Sequence, residues 1–236
     1  MPTIIENSLI APDIYRMRVK GIAQGAPGQF FMLRTSRGMD PFLPRPISIC
    51  DATAEETTFV YRTVGKGTAL LSAMREGDAL LCGLPLGNGF PLCEGKAVLI
   101  GGGLGVAPLL YLAKRLQQTG VYTYAYVGYS GEPFLQEEYQ GAAGEFHPKQ
   151  GGYITDDVDF SLPATYYACG PEPMLKAAAK KARAAGAKLH VSVESRMACG
   201  TGACLGCVLP TAHGNRRVCK DGPVFDATEL YFEDTL

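Results

Sequence analysis

The stretch Lys96-Ala97-Val98-Leu99-Ile100-Gly101-Gly102-Gly103-Leu104-Gly105-Val106-Ala107-Pro108 reads as a buried strand, a glycine loop and the start of a helix. The apolar run does not alternate with polar residues, as expected of a strand covered on both faces. A helix start presents unpaired N–H groups and a partial positive charge, and glycines let a pyrophosphate approach the backbone. Pro108 suits the first turn, where its missing N–H costs nothing. The loop departs from the strict dinucleotide fingerprint, because Pro108 follows Gly103-x-Gly105 where that pattern wants Gly or Ala. A ligand-free turn is the competing reading, but glycine at four of the five positions 101–105 favours a nucleotide site.

Working outward, the α/β style continues. The helix runs to Gln118 and is ended by Gly120; strands follow at Val121–Tyr129 and Ala164–Cys169, then a helix over Glu172–Ala185. Strand–helix alternation predicts a parallel sheet with helices on both faces. The later strand ends at Cys169-Gly170-Pro171, on the carboxyl edge where ligands of such sheets sit. Cys169 could instead be a small buried residue, the reading given to Cys50, Cys82 and Cys93.

Upstream of Leu92 the apolar runs are short: Ile14–Val19, Gln29–Leu33, Ile47–Cys50, Thr58–Val64 and Ala79–Cys82. Clusters such as Ala26-Pro27-Gly28 separate them, which predicts a small antiparallel barrel with one helix at Thr68–Met74. Downstream lies Cys199-Gly200-Thr201-Gly202-Ala203-Cys204-Leu205-Gly206-Cys207, with Cys219 following. This C-x4-C-x2-C…C order is that of plant-type [2Fe–2S] ligands. Disulfides need an oxidising compartment, and the opening Met1-Pro2-Thr3-Ile4-Ile5-Glu6 has no charged-then-apolar leader, so the cytoplasm is expected. Structural zinc usually takes two C-x2-C knuckles, and only one is present. The boundaries expected are 1–93 for the barrel, 94–191 for the α/β segment and 192–236 for the cysteine segment.

With 22 Lys and Arg against 23 Asp and Glu, and no basic run, nothing favours a nucleic acid partner. The uncharged run Ala97–Ala113 is too short and glycine-rich for a membrane span. His147, His190 and His213 stand isolated, and no acid–base pair marks a second substrate site.

Arg45-Pro46-Ile47-Ser48-Ile49, Val60-Tyr61-Arg62, Gly65-Lys66-Gly67-Thr68 and Gly83-Leu84-Pro85-Leu86-Gly87 complete the set. In this order, with the glycine loop and the late Cys-Gly-Pro, they resemble the ferredoxin–NADP reductase superfamily. The resemblance implies that Arg45 pairs with the FAD pyrophosphate, that Ser48 hydrogen-bonds near flavin N5, and that the backbone of Val60, Tyr61 and Arg62 runs along the flavin. Pro46 and Ile47 belong to the same signature, and Gly67 and Thr68 bind pyrophosphate. Gly101, Gly102, Gly103 and Gly105, with Cys169, Gly170 and Pro171, bracket the nicotinamide nucleotide; Ser48 and Cys169 take the catalytic positions.

The run Glu194–Cys207 with Arg217–Phe225 is most similar to the electron-transfer subunits of type B dihydroorotate dehydrogenase. That likeness implies a cluster held by Cys199, Cys204, Cys207 and Cys219, and NAD(H) as substrate. It also implies an FMN-containing catalytic subunit as partner in a heterotetramer, serving pyrimidine biosynthesis. After Val127, Gly128-Tyr129-Ser130-Gly131-Glu132 offers no Arg for a 2′-phosphate, which favours NAD over NADP. Two rival readings stand beside this one: a flavin subunit of another NAD(P)H-linked complex, such as a glutamate synthase-like, sulfite reductase-like or hydrogenase-associated assembly, and a non-enzymatic zinc or redox-sensing module.

Overall fold

Five strands come first: β1 (Thr3–Ala11), β2 (Ile14–Lys20), β3 (Phe30–Leu33), β4 (Arg45–Ala52) and β5 (Glu56–Arg62). They lie in the order β1-β2-β5-β4-β3, every pair antiparallel. The computed structural model describes residues 1–22 and 24–232. Helix α1 (Lys66–Ala73) follows, and the Asn7 side chain of β1 donates to the Leu71 and Met74 carbonyls at its C-terminal end. The segment expected as a strand at Ala79–Cys82 forms isolated bridges instead: Ala79 to Thr3 on β1, and Leu81 to Arg34 just past β3. Serving both edges of the sheet denies it a continuous ladder, and it closes the sheet into a barrel. Ile4, Met17, Phe31, Ile49, Phe59, Tyr61 and Leu71 fill the interior.

The second unit follows in chain order as β6 (Lys96–Gly102), α2 (Val106–Gln118), β7 (Tyr122–Tyr129), α3 (Gln136–Ala142), β8 (Glu145–Gln150), β9 (Thr165–Cys169), α4 (Glu172–Ala185) and β10 (Leu189–Ser192). Along β6 the side chains alternate between two cores. Ala97 and Leu99 join the cluster containing Leu109, Leu112 and Leu116 of α2. Val98 and Ile100 join the one containing Leu175, Ala178 and Ala182 of α4. This is the two-faced burial that the unbroken apolar run implied.

The remaining elements are β11 (Val208–Thr211), β12 (Gly214–Arg217), α5 (Val218–Asp221) and β13 (Val224–Asp226). The first two form a hairpin. β13 pairs antiparallel with β10, so the sheet order is β13-β10-β9-β6-β7-β8. Sequence alone groups residues 192–236 together, whereas the structure returns residues 224–226 to the α/β sheet.

Helix α2 packs on β4, and the apolar cluster on its side of the sheet includes Ala11, Ile14, Cys50 and Val60 of the barrel. Polar contacts stitch the same seam. The Tyr111 hydroxyl donates to the Gly25 carbonyl at 2.9 Å and the Tyr167 hydroxyl to Pro91 at 2.8 Å. Lys114 pairs with Asp51, and Arg16 with Glu138 at 3.2 Å. Tyr111 is 2% exposed, so Tyr111→Phe, which leaves the Gly25 carbonyl without that donor, should cost about 1 kcal/mol. A lower urea midpoint with an unchanged slope is the expected reading.

Candidate functional site

The chain leaves β6 towards β7 and β8 on one side, then crosses back to place β9 on the other. The strand order therefore reverses between β6 and β9, where open α/β sheets bind ligands beyond their carboxyl ends. Gly101 of β6 lies opposite Cys169 of β9, so the glycine loop and the Cys-Gly-Pro turn leave the sheet side by side. They touch through backbone. A Cβ on Gly105 would stand 2.1 Å from the Cys169 carbonyl oxygen, and one on Gly170 2.8 Å from the Gly102 carbonyl oxygen. Gly103 has φ +55 and open space at its Cβ position. The expected set Gly101, Gly102, Gly103, Gly105, Cys169, Gly170 and Pro171 is thus brought together at one edge of the sheet.

Cys169 is 3% exposed, and burial pushes its thiol pKa up, against a hydrogen bond with Ser192 that pulls it down. It stays protonated at neutral pH. Glu194, just past β10, interacts electrostatically with Cys169 and with Arg62 of β5. The residue is exposed as a whole, yet desolvation holds its carboxyl pKa above the ordinary value, with Arg62 opposing. An acid just past the α/β sheet thus feels the charge of a base on the barrel. Glu194 was read from sequence only as part of the cysteine stretch.

On the barrel, Arg45 opens β4 and donates to the Leu43 carbonyl. Its guanidinium lies over the first turn of α1: a Cβ on Gly67 would meet Arg45 Nε at 2.0 Å. Leu33, Arg34, Thr35, Pro41, Leu43, Arg45, Gly67 and Leu71 line this recess. Arg34 Nε is buried there without a hydrogen-bond partner among the described residues. Two guanidinium groups and a helix N-terminus make a donor set that fits a phosphate ester. Arg34 was missed in the sequence, where nothing separates it from other surface arginines.

Thr68 uses its hydroxyl locally, accepting from the Val64 and Gly65 amides and donating to the Gly65 carbonyl. It therefore shapes the turn that presents the α1 amides. Tyr61 is 1% exposed and donates its hydroxyl to Asn7; its side chain belongs to the barrel core. Val60 is buried and Arg62 exposed. In β4, Pro46 pairs with Met32, Ile47 with Phe31 and Ser48 with Phe30 of β3.

The same β3 carries the cysteine segment. Phe30 and Met32 pack with Cys207, Val218 and Cys219, and the Cβ position of Gly200 lies 2.7 Å from Met32 Cγ. Backbone amides aim at sulfur: Thr201 and Cys204 donate to Cys199 Sγ at 3.4 and 3.5 Å, Gly206 to Cys204 at 3.5 Å, and Cys219 to Cys207 at 3.4 Å. Amide donors stabilise thiolates. The Cys204 and Thr201 amides hold Cys199 down to about 5, while burial pushes Cys219 up to about 12. Gly200 and Gly202 sit at positive φ, and so does Leu205 at +59, which lets the loop wrap inward.

Among the described residues no three His, Cys, Asp or Glu side chains converge as they would on a single metal ion. A two-iron cluster asks for less convergence, since each iron takes two thiolates and shares bridging sulfides. The amide-lined thiols fit that group. Of the histidines, His147 stacks on Tyr126, His190 is buried against Tyr167, and His213 lies in the β11–β12 turn. Among the described residues no helix is long and apolar enough to cross a membrane.

A reductase pairing a flavin-type barrel with a nicotinamide-type α/β unit is the class defined by this architecture. A solved structure of an NADH-dependent reduced ferredoxin–NADP oxidoreductase superposes with TM-score 0.87 at 27% identity, covering 97% of this chain and 89% of that one. The iron–sulfur cluster binding domain of dihydroorotate dehydrogenase B matches residues 194–231. The electron transfer subunit of dihydroorotate dehydrogenase B (NAD(+)) from Clostridium acetobutylicum is 39% identical over 98% of this chain and 96% of its own length. Its counterpart in Caldanaerobacter subterraneus subsp. tengcongensis is 40% identical over 97% of each. The chain belongs to the family of dihydroorotate dehydrogenase B electron transfer subunits.

Two glycines of this loop, Gly103 and Gly105, should respond differently. Gly105→Ala drives a methyl into the Cys169 backbone and is expected to cost about 3 kcal/mol. Gly103→Ala meets only the positive-φ penalty of about 1–2 kcal/mol. Urea denaturation of both variants checks the order.

Proposed function

We propose that this chain carries the electrons of dihydroorotate oxidation from an FMN-containing catalytic subunit to NAD+, as one half of a heterotetramer with two copies of each chain. The observation that carries the reading is the shared strand β3. One face of it packs on Cys207 and Cys219, and its backbone pairs with the strand that bears Arg45 and Ser48. Cysteine site and barrel face are therefore one rigid piece.

When bound, FAD converts between hydride and single-electron exchange, and the [2Fe–2S] cluster carries one electron at a time. The residues around them bind and orient. Arg45 and Arg34 donate to the pyrophosphate at the α1 N-terminus, with Gly67 keeping the helix surface bare. Ser48 offers a hydroxyl on the flavin side of β4, beside Pro46 and Ile47, and the Val60–Arg62 backbone runs along the ring system. Gly101–Gly105 receives the nucleotide phosphates, and the neutral Cys169 thiol presents an uncharged surface to the nicotinamide. Glu132, exposed beyond β7, repels a 2′-phosphate. Cys199, Cys204, Cys207 and Cys219 are the iron ligands. Cys204 and Leu205 are exposed, which turns this end of the chain towards a partner.

Protein prepared without oxygen should hold about two irons and two acid-labile sulfides per chain, together with one flavin. Cys204→Ser should remove the iron while NADH still bleaches the flavin. Colourless, iron-free protein rejects the reading. Arg45→Ala should weaken FAD by about 2 kcal/mol, more than tenfold in Kd, measured by flavin fluorescence on dilution.

A further inference from the structure

Helix α5 carries Cys219 and has only four residues, Val218–Asp221. A helix that short cannot satisfy its own terminal carbonyls. They are taken up from outside the cysteine segment. The Asn88 backbone amide donates to Gly222 O at 2.6 Å, and its side-chain amide to Asp221 O at 3.0 Å and Lys220 O at 3.4 Å. Asn88 lies on the turn leaving the barrel, bridged to Pro223.

The turn is built for close approach. Gly87 has φ +77, and a Cβ there would stand 2.6 Å from Pro223 Cδ and 2.9 Å from the Gly222 carbonyl oxygen. Gln29, the residue before β3, donates its side-chain amide to Gly87 O at 2.7 Å. Phe30 and Leu86 exchange backbone hydrogen bonds in both directions. The far end of α5 is held by the cysteine loop itself, through Val218 N to Cys207 O at 3.0 Å. The fourth cysteine thus hangs between its own loop and a barrel turn locked to β3.

We propose that Asn88 is a positioning residue for electron transfer: by gripping the C-terminal carbonyls of α5 it fixes Cys219, and the iron it would hold, at a set distance from the flavin face of the barrel. This rests on the function proposed above. Asn88 is exposed, so in its absence water can reach the freed carbonyls and the fold survives. What is lost is the side chain's share of the constraint on where α5 sits, while the backbone bond from Asn88 to Gly222 O remains. The grip requires an amide N–H donor as well as a side chain of the right size, since all three acceptors are carbonyl oxygens.

The test uses the holoprotein with FAD and iron. Asn88→Ala removes the side-chain donor, and Asn88→Asp keeps its shape while presenting an acceptor to the two carbonyls that the side chain bonds, Lys220 O and Asp221 O. In both, NADH should reduce the flavin at the wild-type rate, while the following transfer from flavin to cluster, compared at equal iron content, slows several-fold in anaerobic stopped-flow. Iron release to a chelator should quicken, and amide exchange should rise at residues 218–223 but not in β6 or β9. Asn88→Ser, with a shorter donor, should recover part of the transfer rate. Wild-type transfer rates in both Ala and Asp variants overturn the proposal. So does faster iron release with unchanged transfer, which would make Asn88 a structural clamp alone. If the wild-type protein itself passes no electron between flavin and iron, the functional reading fails first, and the two failures are told apart.

Discussion

Burial of Cys207 and Cys219 against Phe30 and Met32 is the contact on which the arrangement rests. Two of the segment's four cysteines lie inside an apolar patch shared with β3, and the other two lie at the surface or near it. Apolar packing, together with amide donors fixed by the local backbone, presets the donor positions. An iron centre bound there inherits a defined place relative to β4 without a flexible tether in between. The other half of the loop, with Cys204 and Leu205, is exposed.

The remaining geometry follows from where the sheet reverses direction. Because β6 and β9 are neighbours in space but far apart in the chain, two loops with unrelated sequences emerge together. Glycine at 102, 105 and 170 lets their backbones meet. The barrel and the segment leaving it dock against the α/β unit through buried apolar contacts with α2, tyrosine hydroxyl bonds from Tyr111 and Tyr167, and ion pairs to Lys114 and Glu138.

Much of this was legible in the residues. The α/β unit announced itself through the run at 96–100, and the expected helix Glu172–Ala185 is found with the same bounds. Helix α2 starts two residues earlier than its Pro108 signal, after a 3-10 turn at Gly103–Gly105. β1 was not anticipated. Its register is broken between Ile4 and Glu6 and again between Leu9 and Ala11, so no clean period of two survives in Thr3–Ala11. Arg34 and Asn88 were equally silent, because an orphaned guanidinium nitrogen and a grip on distant carbonyls exist only after folding. Thr68 shows the converse: its motif was visible, but its hydroxyl is consumed by its own turn.

The pairing of β13 with β10 has one more consequence. Ser192 and Val224 face each other across a single rung, so the polypeptide departs from the sheet margin and rejoins it at nearly the same point. Everything between is a detour whose ends are already stapled together. Such a detour can be lengthened, shortened or exchanged by evolution without disturbing the parent sheet. A pyridine-nucleotide reductase could in this way gain or lose a metal wire as a single cassette.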